Sequence, residues 1–281
     1  MNQSTKRNIS RWLLPVILLV IGLAVGAGLT LALQGNGVLP NHASGIVSEA
    51  SGQPSSGESG AKRTVQELYD AAVKDAAFAD KDEIMPLITL TKEDSRVTWN
   101  DAGDRVLLLT WHNYPDSYPA GQTVTLEWGP VWTFTGRELQ GKYDAGKAVV
   151  TDWNLRLKQL IGFPPDSNHS TVTGLWVRPE DVVRPAYQPD PTIDSMNTKL
   201  DENVDKDFKT WFDGNIIWSY FDSAYPWTRL GYTYDWSDNG RKYGLSEFLI
   251  NKNAEAQVAF TESTQEFVTQ LADDSFADLA E

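Results

Sequence analysis

Trp211–Trp236 reads WFDGNIIWSYFDSAYPWTRLGYTYDW, with Trp211, Phe212, Trp218, Tyr220, Phe221, Tyr225, Trp227, Tyr232, Tyr234 and Trp236 in one short run. Each such ring buries on the order of 150–250 Å² when packed. A run this aromatic is core, the wall of a binding groove, or both. Its first part, continued back to about Lys206 and ending near Tyr220, sets Phe208, Trp211, Phe212 and Ile216 on one helical face, with Gly214 a slight weakness. Its last part, Leu230–Trp236, is expected to pair with Arg241–Ile250 across Ser237, Asp238, Asn239 and Gly240. Asn-Gly favours the turns that match the twist of a hairpin.

Working outward, the pattern alternates between a few helices and many short strands. Thr64 and Glu67 have capping-box spacing, and Val65, Leu68, Tyr69, Ala72, Val73 and Ala76 recur at helical intervals to about Phe78. Strands are expected at Ile88–Thr91, Arg96–Trp99, Arg105–Trp111, Thr123–Trp128, Val131–Thr135 and Thr171–Val177, with a Gly-containing loop at Asn100–Asp104. Val149, Val150, Trp153, Leu157, Leu160 and Ile161 fit a helix stopped by Gly162 and Pro164. Prolines then punctuate an irregular wrap to Pro191. Ala254–Phe260 extends the sheet and Thr264–Leu271 forms a last helix. No internal repeat is present. Clustered strands with hairpins, rather than alternating βαβ units, predict an α+β fold: an antiparallel sheet with helices packed on one face.

The chain begins differently. Residues 12–33 form an uncharged apolar run, about 33 Å long as a helix and sufficient for a bilayer core of ~30 Å. A cleavable signal peptide is the competing reading, but its apolar region is usually only ~7–15 residues. Val25, Gly26 and Ala27 imitate a cleavage site, yet the apolar run continues to Leu33. The expected organisation is a cytoplasmic N-terminus (1–11), a transmembrane signal-anchor helix (12–33), a flexible Gly/Ser-rich linker (34–61) and an extracytoplasmic globular domain (62–281). Lys6, Arg7 and Arg11 set the orientation by the positive-inside rule. Gly22 and Gly26 have the GxxxG spacing of helix contacts, a pattern common in glycine-bearing spans. The predicted location is a cell membrane, single-pass, of the bacterial envelope type.

Those three cations are the only charges before Glu49, so removing them from the net −14 leaves −17 on the remainder. Such a surface repels nucleic acid and anionic headgroups, so no nucleic-acid partner is expected. The chain has no cysteine, which removes disulfides, thiolate metal sites and cysteine nucleophiles together. There is no HExxH and no histidine pair at helical spacing, and Asp235, Asp238 and Asn239 lack the spacing of a calcium loop. Neither a Walker loop nor a GxGxxG is present. No metal or other cofactor is expected.

Two constellations carry chemical potential. Trp111–Gly121, WHNYPDSYPAG, opens from a strand end into a proline-bracketed loop. His112 beside Asp116 has the residue types of an acid–base pair, since imidazole titrates near neutrality. A histidine bonded within a structured loop is the simpler reading. His169, in a polar turn, reads as exposed. Asp222 and Asp235 flank the aromatic run as a carboxylate pair, the other candidate for acid–base work. Arg178, Arg184 and Arg229 suit an anion or, more simply, structural pairing. The leading functional expectation is a ligand- or partner-binding module of the cell envelope, with loops 112–121 and 222–236 forming one aromatic-lined site. Its binding residues are Tyr114, Tyr118, Tyr225, Trp227, Arg229 and Tyr234. The alternatives are an envelope-polymer hydrolase using His112 and Asp116 or Asp222 and Asp235, and a scaffold module of a membrane assembly.

Overall fold

Two seven-residue strands, β1 (Val106–His112) and β4 (Thr171–Val177), are buried along their whole length and form the axis of the fold. The computed structural model describes residues 62–222, 224–273 and 275, so the predicted segments 1–11, 12–33 and 34–61 lie outside the described residues. Among the described residues no helix is long and apolar enough to cross a membrane. The architecture is α+β, with antiparallel sheets and helices.

β1 and β4 pair antiparallel from Val106 opposite Val177 to His112 opposite Thr171. β4 pairs with β9 (Glu255–Ser263), and β9 with β2 (Thr123–Thr125), giving the order β1-β4-β9-β2. The β4–β9 register slips between Gly174 and Leu175. There the ring of Phe260 fills the space that a Cβ on Gly174 would need.

The two faces of this sheet meet different partners. Leu107, Leu109, Trp111, Val172 and Phe260 pack against Leu139 and Tyr143 of α2 (Gly136–Gly146), Leu157 and Leu160 of α3 (Trp153–Ile161), and Phe267 and Leu271 of α5 (Thr264–Ala272). Val106, Leu108, Leu175 and Val258 instead meet Ile88, Leu90 and Val97. They also meet a second sheet, β3 (Val131–Thr133), β8 (Phe248–Ile250) and β5 (Val182–Val183), in the order β3-β8-β5. A third sheet pairs β6 (Tyr232–Tyr234) with β7 (Tyr243–Ser246). Among the described residues the one predicted sheet is therefore three.

The helix ends follow their sequence signals. Thr64 and Glu67 satisfy each other's backbone donors at the start of α1 (Val65–Ala76), and Ser263 and Glu266 do so for α5. Asp152 caps α3, and Gly162 ends it with φ +80°. α4 (Lys206–Ile217) runs on into a π-helical turn, Trp218–Asp222.

Three departures from the sequence pattern have local causes. Ile88–Thr91 is irregular because its donors go elsewhere: Ile88 N–H to Ser246 Oγ at 2.9 Å and Leu90 N–H to Pro191 O at 2.9 Å. The expected strand Arg241–Ile250 is split at Glu247 into β7, bound to β6, and β8, bound to β3 and β5. The unpredicted α2 sends Glu138 into the interior, where its carboxylate accepts from Tyr243 OH and Ser246 N–H, each at 2.7 Å. The proline-rich wrap is held from within. Arg184, fully buried, donates to Ile88 O, Pro191 O and Ile193 O, and its guanidinium lies over the Phe248 ring.

Candidate functional site

The aromatic run divides between the interior and the surface. Trp227 is buried, donates its indole N–H to Pro185 O at 3.0 Å, and meets Phe212, Trp211 and Trp132 at ring distances of 5.0–6.0 Å. This cluster seats α4 on the domain. Arg229 is buried as well, with φ +59°. It donates to Ala76 O and Ala77 O, the orphan carbonyls at the end of α1, and its guanidinium lies over Tyr187 and Tyr220. Both residues are structural anchors in this arrangement.

His112 is engaged at both ring nitrogens. Nδ1 accepts from the Tyr114 backbone N–H at 2.9 Å, so the proton sits on Nε2, which lies 2.8 Å from Thr173 Oγ1. The chain of donors continues from Thr173 to Thr261 and from Thr261 to Tyr118 O. Tyr118 covers the ring at 4.7 Å. Burial, assisted by the charge of His169, pushes the imidazole down to about 4. Asp116 is exposed, and among the described residues no hydrogen bond joins it to His112. His169 is not an exposed turn residue: it stacks on Phe163 at 4.3 Å and bonds Ser167 Oγ at 2.5 Å.

Asp235 is buried under five hydrogen bonds. Arg156 of α3 grips it at 2.7 Å through both oxygens, and Ser237 N–H, Ser237 Oγ and Asn239 Nδ2 complete the set. Burial alone would raise this carboxyl; the Arg156 contacts and Ser237 outweigh it and hold it below the usual carboxylate range. Asp235 thereby pins the hairpin turn to α3. The Asp222 side chain lies outside the described residues.

The loops 112–121 and 222–236 do not wall one site. Tyr118 packs on the face of the main sheet that holds Leu108 and Val258. Tyr225 meets Phe163, which packs on the opposite face with Trp111. The cause is strand alternation: Trp111 and His112 are neighbours on β1, so their side chains point to opposite sides.

One predicted binding residue, Tyr234, does line an open cleft of ≈ 280 Å³ between α1 and the β6–β7 turn. The α1 wall is Leu68, Ala71, Ala72 and Asp75; the hairpin supplies Tyr234 to Asp238 and Gly240 to Lys242. Trp236 forms the buried end of that wall, edge-on to Tyr69 at 5.7 Å, with its N–H on Phe163 O. Tyr234 OH donates to Asp75 at 2.8 Å, and Lys242 bridges Asp75 and Glu83 at 2.6 Å each. Burial, then the Asp75 contact, raises the Tyr234 phenol above its ordinary range. These groups form the frame.

Arg63 and Arg241 are the adaptable members. Arg63 pairs with Asp238 at 2.6 Å, both about half exposed, an interaction worth ~1 kcal/mol or less. Arg241 is exposed, and its guanidinium has no hydrogen-bond or ion-pair partner among the described residues. Two arginines thus stand at one cleft with little holding them, on a domain dominated by acid. Sequence reading gave the turn but missed Arg63, Asp75 and Arg241, because α1 and the turn lie more than 150 positions apart. No protein-family model, curated protein or solved structure matches the chain.

Proposed function

We propose that the chain is a single-pass membrane protein whose extracytoplasmic domain is a ligand-binding module of the cell envelope, with its site at the cleft between α1 and the β6–β7 turn. The apolar run at 12–33, the basic N-terminus and the Gly/Ser-rich linker support the anchoring. The observation that carries the binding role is the pair Arg63 and Arg241 at a ≈ 280 Å³ cleft walled by Leu68, Ala72 and Trp236. That volume suits a ligand of amino-acid or monosaccharide size. Guanidinium groups favour carboxylate or phosphate, and Asp75 and Asp238 offer acceptors to hydroxyl or amino groups. The ligand class is therefore a small molecule with an acidic group at one end and hydrogen-bond donors at the other.

The test is calorimetric titration of the full-length protein with amino acids and uronic acids, each beside its uncharged amide or alcohol. Binding of the acid and not of the neutral counterpart is expected. Arg241→Ala is expected to weaken it roughly 10–100-fold, the loss of one charge-assisted hydrogen bond of about 1.5–3 kcal/mol. Binding that is indifferent to Arg63→Ala and Arg241→Ala, or no binding by any acid, overturns the proposal.

A further inference from the structure

The turn that joins α3 to β4, residues 162–170, carries a signal the cleft does not use. Asn168, His169 and Ser170 form Asn-Xaa-Ser with Xaa other than proline, the triplet at which an asparagine of an exported chain accepts a sugar. Asn2 and Asn8 stand in the same triplet, but on the side of the anchor that the proposed orientation leaves in the cytoplasm. From residue 34 onward, Asn168 is the one asparagine with Ser or Thr two places later. The local conformation separates the residues that define the triplet from the one that does not. Asn168 and Ser170 are exposed, while His169 between them is turned in, stacked on Phe163 and bonded to Ser167.

The hydrogen bonds leave the reacting atom free. Asn113 Nδ2 donates to Asn168 Oδ1 at 2.8 Å, and Ser170 N–H donates to His112 O at 3.2 Å, so the turn is pinned to the loop that follows β1. Asn168 Nδ2 has no hydrogen-bond partner among the described residues. A glycosylated amide keeps its oxygen as an acceptor, so a sugar on Nδ2 breaks none of the bonds that hold the turn. The Ser170 hydroxyl makes only long contacts, 3.5 Å to Asn113 Oδ1 and 3.4 Å to Thr171 Oγ1, and is free to be recognised. We propose that Asn168 is an N-glycosylation site, an inference that rests on the extracytoplasmic placement of the domain proposed above. The donor is an oligosaccharide joined through a diphosphate to a membrane lipid. Asn168 Nδ2 attacks its anomeric carbon and gives up one proton to a base of the transferase. The new C–N bond replaces the C–O bond to phosphate, and the lipid diphosphate leaves with the electron pair.

The experiment is mass spectrometry of the full-length protein purified from the membranes of its own cells, read on proteolytic fragments that contain Asn168. A second readout fixes the side of the membrane on which the domain lies. The chain has no cysteine, so Val149→Cys, at an exposed position, supplies a single thiol for a maleimide that cannot cross membranes, applied to protoplasts. The expected result is sugar mass on Asn168 together with labelling of the Val149→Cys thiol. The sugar is expected to be lost in Asn168→Gln and in Ser170→Ala, which keeps the asparagine, and retained in Ser170→Thr. Bare Asn168 with the thiol labelled overturns the glycosylation proposal and leaves the placement of the domain standing. Bare Asn168 with a thiol that labels only after lysis overturns both. Sugar that persists in Ser170→Ala, or that sits only on other residues, overturns the proposal too.

Discussion

His112→Asn tests the reading of His112 as a fixed structural ring. The asparagine oxygen replaces Nδ1 as acceptor for the Tyr114 N–H, while the donor to Thr173 and the ring beneath Tyr118 are lost. At neutral pH that loss is expected to cost about 1–2 kcal/mol. The pH dependence is more specific. The unfolded chain protonates this ring near 6.5, the folded chain only at about 4. Between those values the unfolded state holds more protons, so acid favours unfolding. The stability His112 contributes is full above pH 6.5 and lost as pH falls toward 4. Integrated from pH 7 to pH 4, the loss is about 3 kcal/mol. The asparagine variant has no such loss, so it starts below the wild type at pH 7 and ends above it at pH 4. Urea unfolding at a series of pH values reads the crossing, and proton NMR reads the ring titration directly. Curves that stay parallel from pH 7 to 4, or a ring that titrates near 6.5, would show that the fold does not exclude the proton from His112.

Glu247 should behave in the opposite sense. Burial pushes it up to about 8 despite Arg184, so the stability it contributes is full below pH 4.5 and lost as pH rises through 8; against Glu247→Gln, the wild type should lose about 3 kcal/mol between pH 6 and 9 in urea titrations. Trp227→Ala removes the ring shared by Phe212, Trp211 and Trp132 and should lower stability by roughly 3–5 kcal/mol; calorimetry checks this, and a small loss would show a collapsible site. Arg156→Ala strands the buried Asp235 carboxylate and should likewise cost about 3–5 kcal/mol, partly recovered by adding Asp235→Asn. Gly244→Ala places a methyl group against Leu160 O and Thr233, where backbone cannot yield, and should prevent soluble expression.

Much of the fold was legible because its signals are local. The capping boxes at Thr64 and Ser263, the stop at Gly162 and the unbroken apolar strands β1 and β4 each need only a short window of sequence. What escaped was decided at long range. α2 has few apolar residues, Leu139 and Tyr143 inward, and its buried Glu138 looks like a surface residue until Tyr243 and Ser246 arrive from beyond position 240. Ile88–Thr91 has strand composition, yet its backbone donors are taken by Ser246 and Pro191 before any ladder can use them.

The candidate site was legible only at two residues, Tyr234 and Asp235, for a related reason. Sequence marks a residue by what its side chain can do, and the structure spends most such side chains on the fold itself. His112 holds a loop, Asp235 a turn, Arg229 a helix end and Trp227 the seat of α4. The groups left over are unremarkable in sequence: an arginine at the root of the linker and another after Asn-Gly. They become informative only once their neighbours are shown to need nothing from them. Side chains that the fold leaves unspent or only loosely held, rather than the density of reactive residue types, are what separate Arg241 and Arg63 from the aromatic run in which the fold is rooted.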